Sequence, residues 1–267
     1  MSSRPKQSLS IRLASYLVRN PLIYLYTAVL GMLSLLSSFF DHSGRVQHGF
    51  ARLWSWLILR ISSAPLTVEG LERVDPSLPA IYTANHASAL DIPALYVGLP
   101  FQFRILAKSE LFRLPFLGWH LTRSGQIPID RSDARHSLRS LGHAAQSVKA
   151  GMPLVVFPEG GRCTDGCLQP FLGGIFYAAI KAQVPIVPVA LIGTFEALPM
   201  NSYVIRPTPF RLVIGEPIPT TGLHARDMEA LSARVRQAMC EIYYAHSKFS
   251  APESAAAHPE STAGAPS

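Results

Sequence analysis

Between residues 21 and 40 the chain reads PLIYLYTAVLGMLSLLSSFF, twenty residues without a charge. That length suits a helix in a bilayer, whose hydrocarbon core takes about 20 apolar residues to cross. Arg4, Lys6, Arg12 and Arg19 precede the run, and such a basic flank keeps the N-terminal side in the cytoplasm. A single span would carry everything after Asp41 across the membrane. The next segment, GFARLWSWLILRIS at 49–62, is apolar and Trp-rich but interrupted by Arg52 and Arg60, which suits an interfacial helix among lipid headgroups. The expectation is a membrane-embedded helical hairpin over 21–64 behind a basic segment at 1–20. It enters the cytoplasmic leaflet and returns, with Gly31, Ser34, Ser37 and Ser38 bending or packing its first arm. This puts the protein on the cytoplasmic face of the inner or plasma membrane. A true single span and a signal peptide are the alternatives. The apolar run is overlong for a signal peptide, and no clear small-x-small cleavage site follows it.

From about Pro65 the sequence changes to short apolar runs between helix-like stretches. Candidate strands are 80–84, 104–107, 126–129, 154–157, 186–191 and 211–214. Residues 133–149 place Leu138, Leu141, Ala145 and Val148 on one helical face, with Gly151 as a stop. Near the C-terminus Met228, Leu231, Val235, Met239 and Ile242 repeat at three and four. Strands alternating with helices give an α/β fold over 65–249, with a mixed, largely parallel sheet flanked by helices. The Ala-, Pro- and Ser-rich tail at 250–267 and the first eight or so residues are expected to be disordered.

A formal net charge of +7 favours anionic partners such as acidic headgroups or phosphorylated ligands. No zinc-finger spacing, RNP-like motif or Lys/Arg run appears, so nucleic acid is not an expected partner. Cys163, Cys167 and Cys240 lack metal-ligand spacing and read as ordinary thiols in a reducing compartment. No metal or cofactor is expected.

Straight after the apolar run at 81–84 comes NHASALD, with His86 and Asp91 five apart. On a regular helix that spacing sets two side chains about 140° apart. They meet only if His86 lies on the turn and Asp91 at the start of the following helix, a placement that Pro93 supports. The bland alternative makes Asp91 a helix cap and His86 a turn residue. Taken alone, the heptapeptide does not decide between them.

Three further stretches follow in order: GQIPIDR at 125–131, FPEGGRC at 157–163 and VPIVPVA at 184–190. With NHASALD they resemble the four motif blocks of the 1-acylglycerol-3-phosphate (lysophosphatidic acid) acyltransferase family, over roughly residues 70–217. The resemblance implies a glycerolipid acyltransferase fold, an acyltransferase domain at 65–249, and His86 as general base with Asp91 as its partner. The chemistry suits the residue types. An alcohol is a poor nucleophile that a neutral imidazole can deprotonate, and a carboxylate fixes the ring's tautomer and steadies the imidazolium. No nucleophilic Ser or Cys is required.

The acceptor implied by the resemblance carries a phosphate. Arg131 and Arg162 would make forked bonds to it. Gly160 and Gly161 would let backbone N–H groups approach. Glu159 would orient Arg162 or meet the glycerol headgroup, and Lys108 is a further phosphate candidate alongside its reading as a surface Lys. The 184–190 block reads as a strand near the acyl-binding region, or simply as a buried strand. LFRLPFLGW, at 111–119, reads as core or membrane contact ahead of an acyl groove.

The implied reaction moves an acyl group from acyl-CoA or acyl carrier protein to the sn-2 hydroxyl of lysophosphatidic acid, at a lipid membrane, forming phosphatidic acid. Two departures bear on the acceptor. Gly161 stands where the family usually has Thr, and Leu172 where it often has Lys. Another lysophospholipid or lyso-lipid acceptor is therefore the runner-up. A catalytically silent lipid-binding protein is a second alternative, opposed by the intact His86 and Asp91. No GxSxG elbow for a serine esterase is present.

Overall fold

The computed structural model describes residues 8–130 and 133–250. Residues 251–267 of the expected tail and the first seven residues therefore lie outside the described residues, as does Arg131.

The N-terminal apolar region forms two helical arms. Helix α1 (Leu9–Ala14) runs through a π-helical turn, Ser15–Arg19, into α2 (Asn20–Ser37). A turn leads to α3 (Arg45–Ile61), which packs back along α2. The Trp54 indole N–H donates to Thr27 Oγ1 at 2.8 Å. Those two residues lie about equally far from the turn, so the arms are antiparallel. The hairpin expected at 21–64 is present, but its first arm begins at Leu9, inside the segment read as a separate basic leader. Gly31 does not pack closely: a Cβ there would meet nothing within 4 Å.

Seven strands form one sheet: β1 (Leu66–Glu69), β2 (Ile81–Ala84), β3 (Arg104–Lys108), β4 (Ile127–Ile129), β5 (Leu154–Val156), β6 (Ile186–Ile192) and β7 (Phe210–Ile214). Their order is β1-β7-β6-β2-β5-β3-β4. Every neighbouring pair is parallel except β6 with β7. The mixed, largely parallel sheet is as expected, and all six candidate strands lie in it. The edge strand β1 was not among them.

The central strands are buried on both faces, hence their near-continuous apolar runs. Alternate residues feed two cores. Ile81, Leu154, Val156 and Ile186 face α6 (Ala134–Lys149), α7 (Gly174–Ala182) and α9 (Met228–His246). Tyr82, Val155, Val187 and Leu191 face α3 and α4 (Asp91–Gly98). Helix α6 starts where its sequence says it should, since Asp133 Oδ1 accepts the Arg135 N–H at 2.7 Å. Its buried stripe is Leu141, Ala144, Ala145 and Val148, while Leu138 is exposed. On α9, Leu231, Val235 and Met239 are buried as their spacing predicts.

The 111–119 run does not enter the core. It leads into α5 (Leu117–Arg123), where Phe116 is 68% and Trp119 58% exposed. Helix α5 packs on α2: Ser34 Oγ lies 3.2 Å from His120 Nδ1, and the Arg123 guanidinium sits 4.7 Å from the Phe39 ring centroid.

Candidate active site

Because β2, β5, β3 and β4 are mutually parallel, their C-terminal ends open along one edge of the sheet, the usual place for ligands in open α/β folds. NHASALD leaves β2 there and FPEGGRC leaves β5 beside it.

The turn after β2 is built by its own polar side chains. Asn85 is buried and its amide clasps the β6 backbone at Leu191, donating Nδ2–H to the carbonyl at 3.0 Å and accepting the N–H at 2.7 Å. Ser88 Oγ donates to the Leu198 carbonyl at 2.7 Å, beside the short helix α8 (Thr194–Ala197). Asp91 is the first residue of α4 and is fully buried. Its Oδ2 accepts the N–H groups of Ala87 at 2.7 Å and Ser88 at 2.8 Å and lies 2.8 Å from His86 Nδ1. Asp91 is therefore not the helix cap of the bland reading: the N-cap of α4 is Leu90, without a side-chain cap bond, and the Asp91 carboxylate instead closes the turn behind it.

His86 is oriented from three sides. A carboxylate only accepts, so Nδ1 carries the proton given to Asp91 and Nε2 presents its lone pair. The ring stacks on Phe157 at 4.0 Å between centroids and 19° between planes. The side chain is 18% exposed, enough for a reactant to reach it. Its backbone is held as well, since the Cys163 N–H donates to the His86 carbonyl at 2.8 Å.

Glu159 is not arranged as expected. Its Oε1 accepts the His86 backbone N–H at 2.7 Å, and its Oε2 accepts that of Gln169 at 2.8 Å. No ion pair joins it to Arg162 among the described residues. Each of its oxygens is engaged by a backbone amide rather than by the Arg162 side chain. Burial pushes the Glu159 carboxyl from 4.5 up to about 7. The two amide bonds oppose that rise, and the charges of Asp91 and Asp165 assist it.

Arg162 and Gly161 are exposed on the loop after β5, and a Cβ on Gly161 would meet nothing within 4 Å. Gly160 has φ +79°, the left-handed region that favours glycine. Lys108 ends β3 on the same sheet edge, exposed and paired with Glu110 at 2.9 Å. The 184–190 block forms β6, whose residues are all buried in the sheet interior.

Asn85, Phe157 and the paired tyrosines of α9 were not singled out by sequence. Tyr243 Oη donates to the Gly166 carbonyl at 2.6 Å, and Tyr244 Oη accepts the Leu168 N–H at 3.2 Å, pinning the 157–169 loop from beneath. Asn85 and Phe157 are each the first residue of a motif block; the tyrosines carry no local signal.

Comparison with known proteins gives a consistent picture. A family model described as Acyltransferase matches residues 65–192. The chloroplast 1-acyl-sn-glycerol-3-phosphate acyltransferase BAT2 of Brassica napus is 36% identical over 185 residues, 67% of this chain and 52% of that protein. The chloroplast enzyme LPAT1 of Arabidopsis thaliana is 34% identical over 208 residues, 76% of this chain and 56% of its own length. The chain thus spans about half the length of these curated relatives. The crystal structure of the 1-acyl-sn-glycerophosphate (LPA) acyltransferase PlsC from Thermotoga maritima superposes with a TM-score of 0.70 at 25% identity, covering 87% of this chain and 98% of that one.

Proposed function

The chain belongs to the 1-acyl-sn-glycerol-3-phosphate acyltransferase family, and from that membership we propose that it transfers a fatty acyl group from an acyl thioester to the sn-2 hydroxyl of 1-acylglycerol-3-phosphate, forming phosphatidic acid. The observation that carries the reading is the 2.8 Å contact between His86 Nδ1 and the fully buried Asp91 carboxylate, held at the sheet edge with Nε2 turned away from Asp91. His86 Nε2 takes the hydroxyl proton as the oxygen attacks the thioester carbonyl. The new C–O bond forms, the tetrahedral intermediate collapses, and the C–S bond breaks. The imidazolium returns its proton to the departing thiolate, which leaves as CoA or as the acyl carrier protein thiol. Asp91 holds the tautomer throughout and steadies the imidazolium.

The acceptor phosphate lies, in this reading, against the exposed Arg162 and the Gly161 backbone, with Lys108 completing a basic rim. The enzyme is monotopic and works on the cytoplasmic side of the membrane, where the lyso-lipid acceptor arrives laterally and the thioester donor from the cytoplasm.

A purified-enzyme assay with labelled acyl-CoA across a panel of lyso-lipids tests the proposal. Product from lysophosphatidic acid is expected, with turnover lowered about 10²-fold or more in His86→Ala and the acceptor KM raised in Arg162→Ala. Free fatty acid as the only product would point to hydrolysis, and full activity in His86→Ala would remove the base.

A further inference from the structure

We infer that Glu159 is a positioning residue: by accepting the backbone N–H groups of His86 and Gln169 together, its carboxylate ties the turn bearing the base to the loop after β5, and only its ionised form makes both bonds at full strength. The inference rests on the acyl-transfer reading, in which His86 is that base.

His86 is gripped by the 157–169 loop through its own peptide. Its N–H goes to Glu159 Oε1, and its carbonyl takes the Cys163 N–H at 2.8 Å. Asp91 and Phe157 hold the ring. Of these four contacts, only the Glu159 bond also reaches Gln169 on the far side of the loop, at 2.8 Å. That bridge closes the loop over residues 160–168, the segment bearing Gly161 and Arg162. The far side is braced by Tyr243 and Tyr244, so the bracket links α9, the loop and the base in series.

A carboxylate offers two acceptors to two donors. Protonation turns one oxygen into an O–H donor and removes the charge that strengthens both bonds, so one of the two bonds is markedly weakened. The groups facing Glu159 are His86 on the turn after β2, Asp91 from α4, Asp165, Cys163 and Cys167 from its own loop, and Cys240 and Tyr243 from α9. No cation pairs with it among the described residues. With burial and two neighbouring carboxylates against the charge, ionisation moves up to about 7. The bracket therefore closes fully on the alkaline side of neutrality and loosens on the acid side.

Glu159→Gln imitates the protonated state at every pH. Relative to wild type, its kcat is expected to fall about tenfold to a hundredfold above neutrality, the scale of a small displacement of a catalytic group. The gap should narrow on the acid side, with the lysophosphatidic acid KM little changed. A loss independent of pH would mark a packing role, and a loss confined to KM would return Glu159 to the acceptor site; either overturns the inference. A second measurement needs neither a variant nor turnover. In nitrogen-labelled wild-type chain in detergent micelles, the Gln169 and His86 amide resonances should move together through one inflection near neutrality. Absence of that inflection at Gln169 overturns the bracket, whereas its presence in a chain that transfers no acyl group overturns only the acyl-transfer reading.

Discussion

Asp91 shows how much one oxygen can organise. Three N–H groups converge on Oδ2 in a fully buried site, so one carboxylate both shapes the turn and holds the base. Asp91→Asn keeps the size but places an amide among those donors and allows the wrong imidazole tautomer. Its kcat is expected to fall about 10²-fold or more, with a loss of thermal stability visible by calorimetry; a variant that kept wild-type turnover would separate Asp91 from the chemistry. Glu159 carries the opposite stability signature. Its folded-state value of about 7 lies above the ordinary 4.5, so its contribution to stability is fully present below 4.5 and is lost as pH rises through 7. At about 1.4 kcal/mol per tenfold change in proton affinity, the loss is at most about 3.5 kcal/mol. The Tm difference between Glu159→Gln and wild type should therefore shift in favour of the variant as pH is raised from 5 to 8, even while the variant loses activity. A pH-independent difference would show that Glu159 ionises as an exposed carboxylate does. At this scale the sequence made His86 and Asp91 legible, because their residue types and the motif blocks around them carry the signal. It did not show the Glu159 bonds to backbone amides, because a carboxylate bound to backbone N–H groups leaves no partner side chain to find.

The long first arm, Leu9–Ser37, is apolar and long enough to cross a membrane, yet its docking argues for lying along the surface. Ser15 Oγ donates to the Ile205 carbonyl at 3.1 Å and accepts the Ile205 N–H at 3.1 Å, Arg19 adds a bond to the same carbonyl at 3.0 Å, and Asn20 reaches Tyr203. Ser34 meets His120 near the other end. Ser15 and Ser34 are about 28 Å apart along a helix, and both are tied to the catalytic unit. The π turn at Ser15–Arg19 lies where the first of these bonds form. Leu17, Tyr24, Leu25, Met32 and Leu36 are exposed and repeat on one outward face, and Phe116 and Trp119 of the neighbouring α5 region are exposed as well. Such a face suits the boundary between headgroups and acyl chains. In sealed vesicles, Ser8→Cys and His42→Cys variants, made in a background with the native cysteines replaced, should both react with an impermeant thiol reagent from the cytoplasmic side only. Reaction of the two from opposite sides would make this arm a true span. Hydropathy showed the length of the arm, but its docking depends on polar contacts to residues some 190 positions away. Strand β1 escaped notice for a related reason: four residues at a half-exposed sheet edge bury too little to leave a periodic signal, and pairing with β7 supplies what the strand lacks.

Across the whole molecule, the two halves of the hairpin belong to different layers. Helix α3 places Ile58 and Leu59 in the core shared with α4 and one face of the sheet, and the Arg52 guanidinium donates to the Leu99 carbonyl at 3.3 Å. At the other sheet end the buried Arg104 donates to the Ser43 carbonyl at 2.9 Å. An amphipathic helix bearing arginines reads the same from sequence whether its apolar face meets lipid or a protein core, which is why 64/65 looked like a boundary between anchor and enzyme. By contrast, Leu30 is the only buried large apolar side chain of the first arm. The two arms should therefore respond differently to truncation. A chain starting at residue 41 keeps α3 over the sheet and is expected to fold cooperatively, with weaker partition into vesicles. A chain starting at residue 65 uncovers the sheet face beneath α3; losing buried Leu- or Ile-sized contacts costs about 2–5 kcal/mol each, comparable to the stability of a whole domain. It should aggregate or lose its near-ultraviolet circular dichroism. Soluble, cooperative folding of that shorter chain would make α3 an accessory anchor and restore the boundary to residue 65, whereas failure of both chains would make the first arm part of the fold as well.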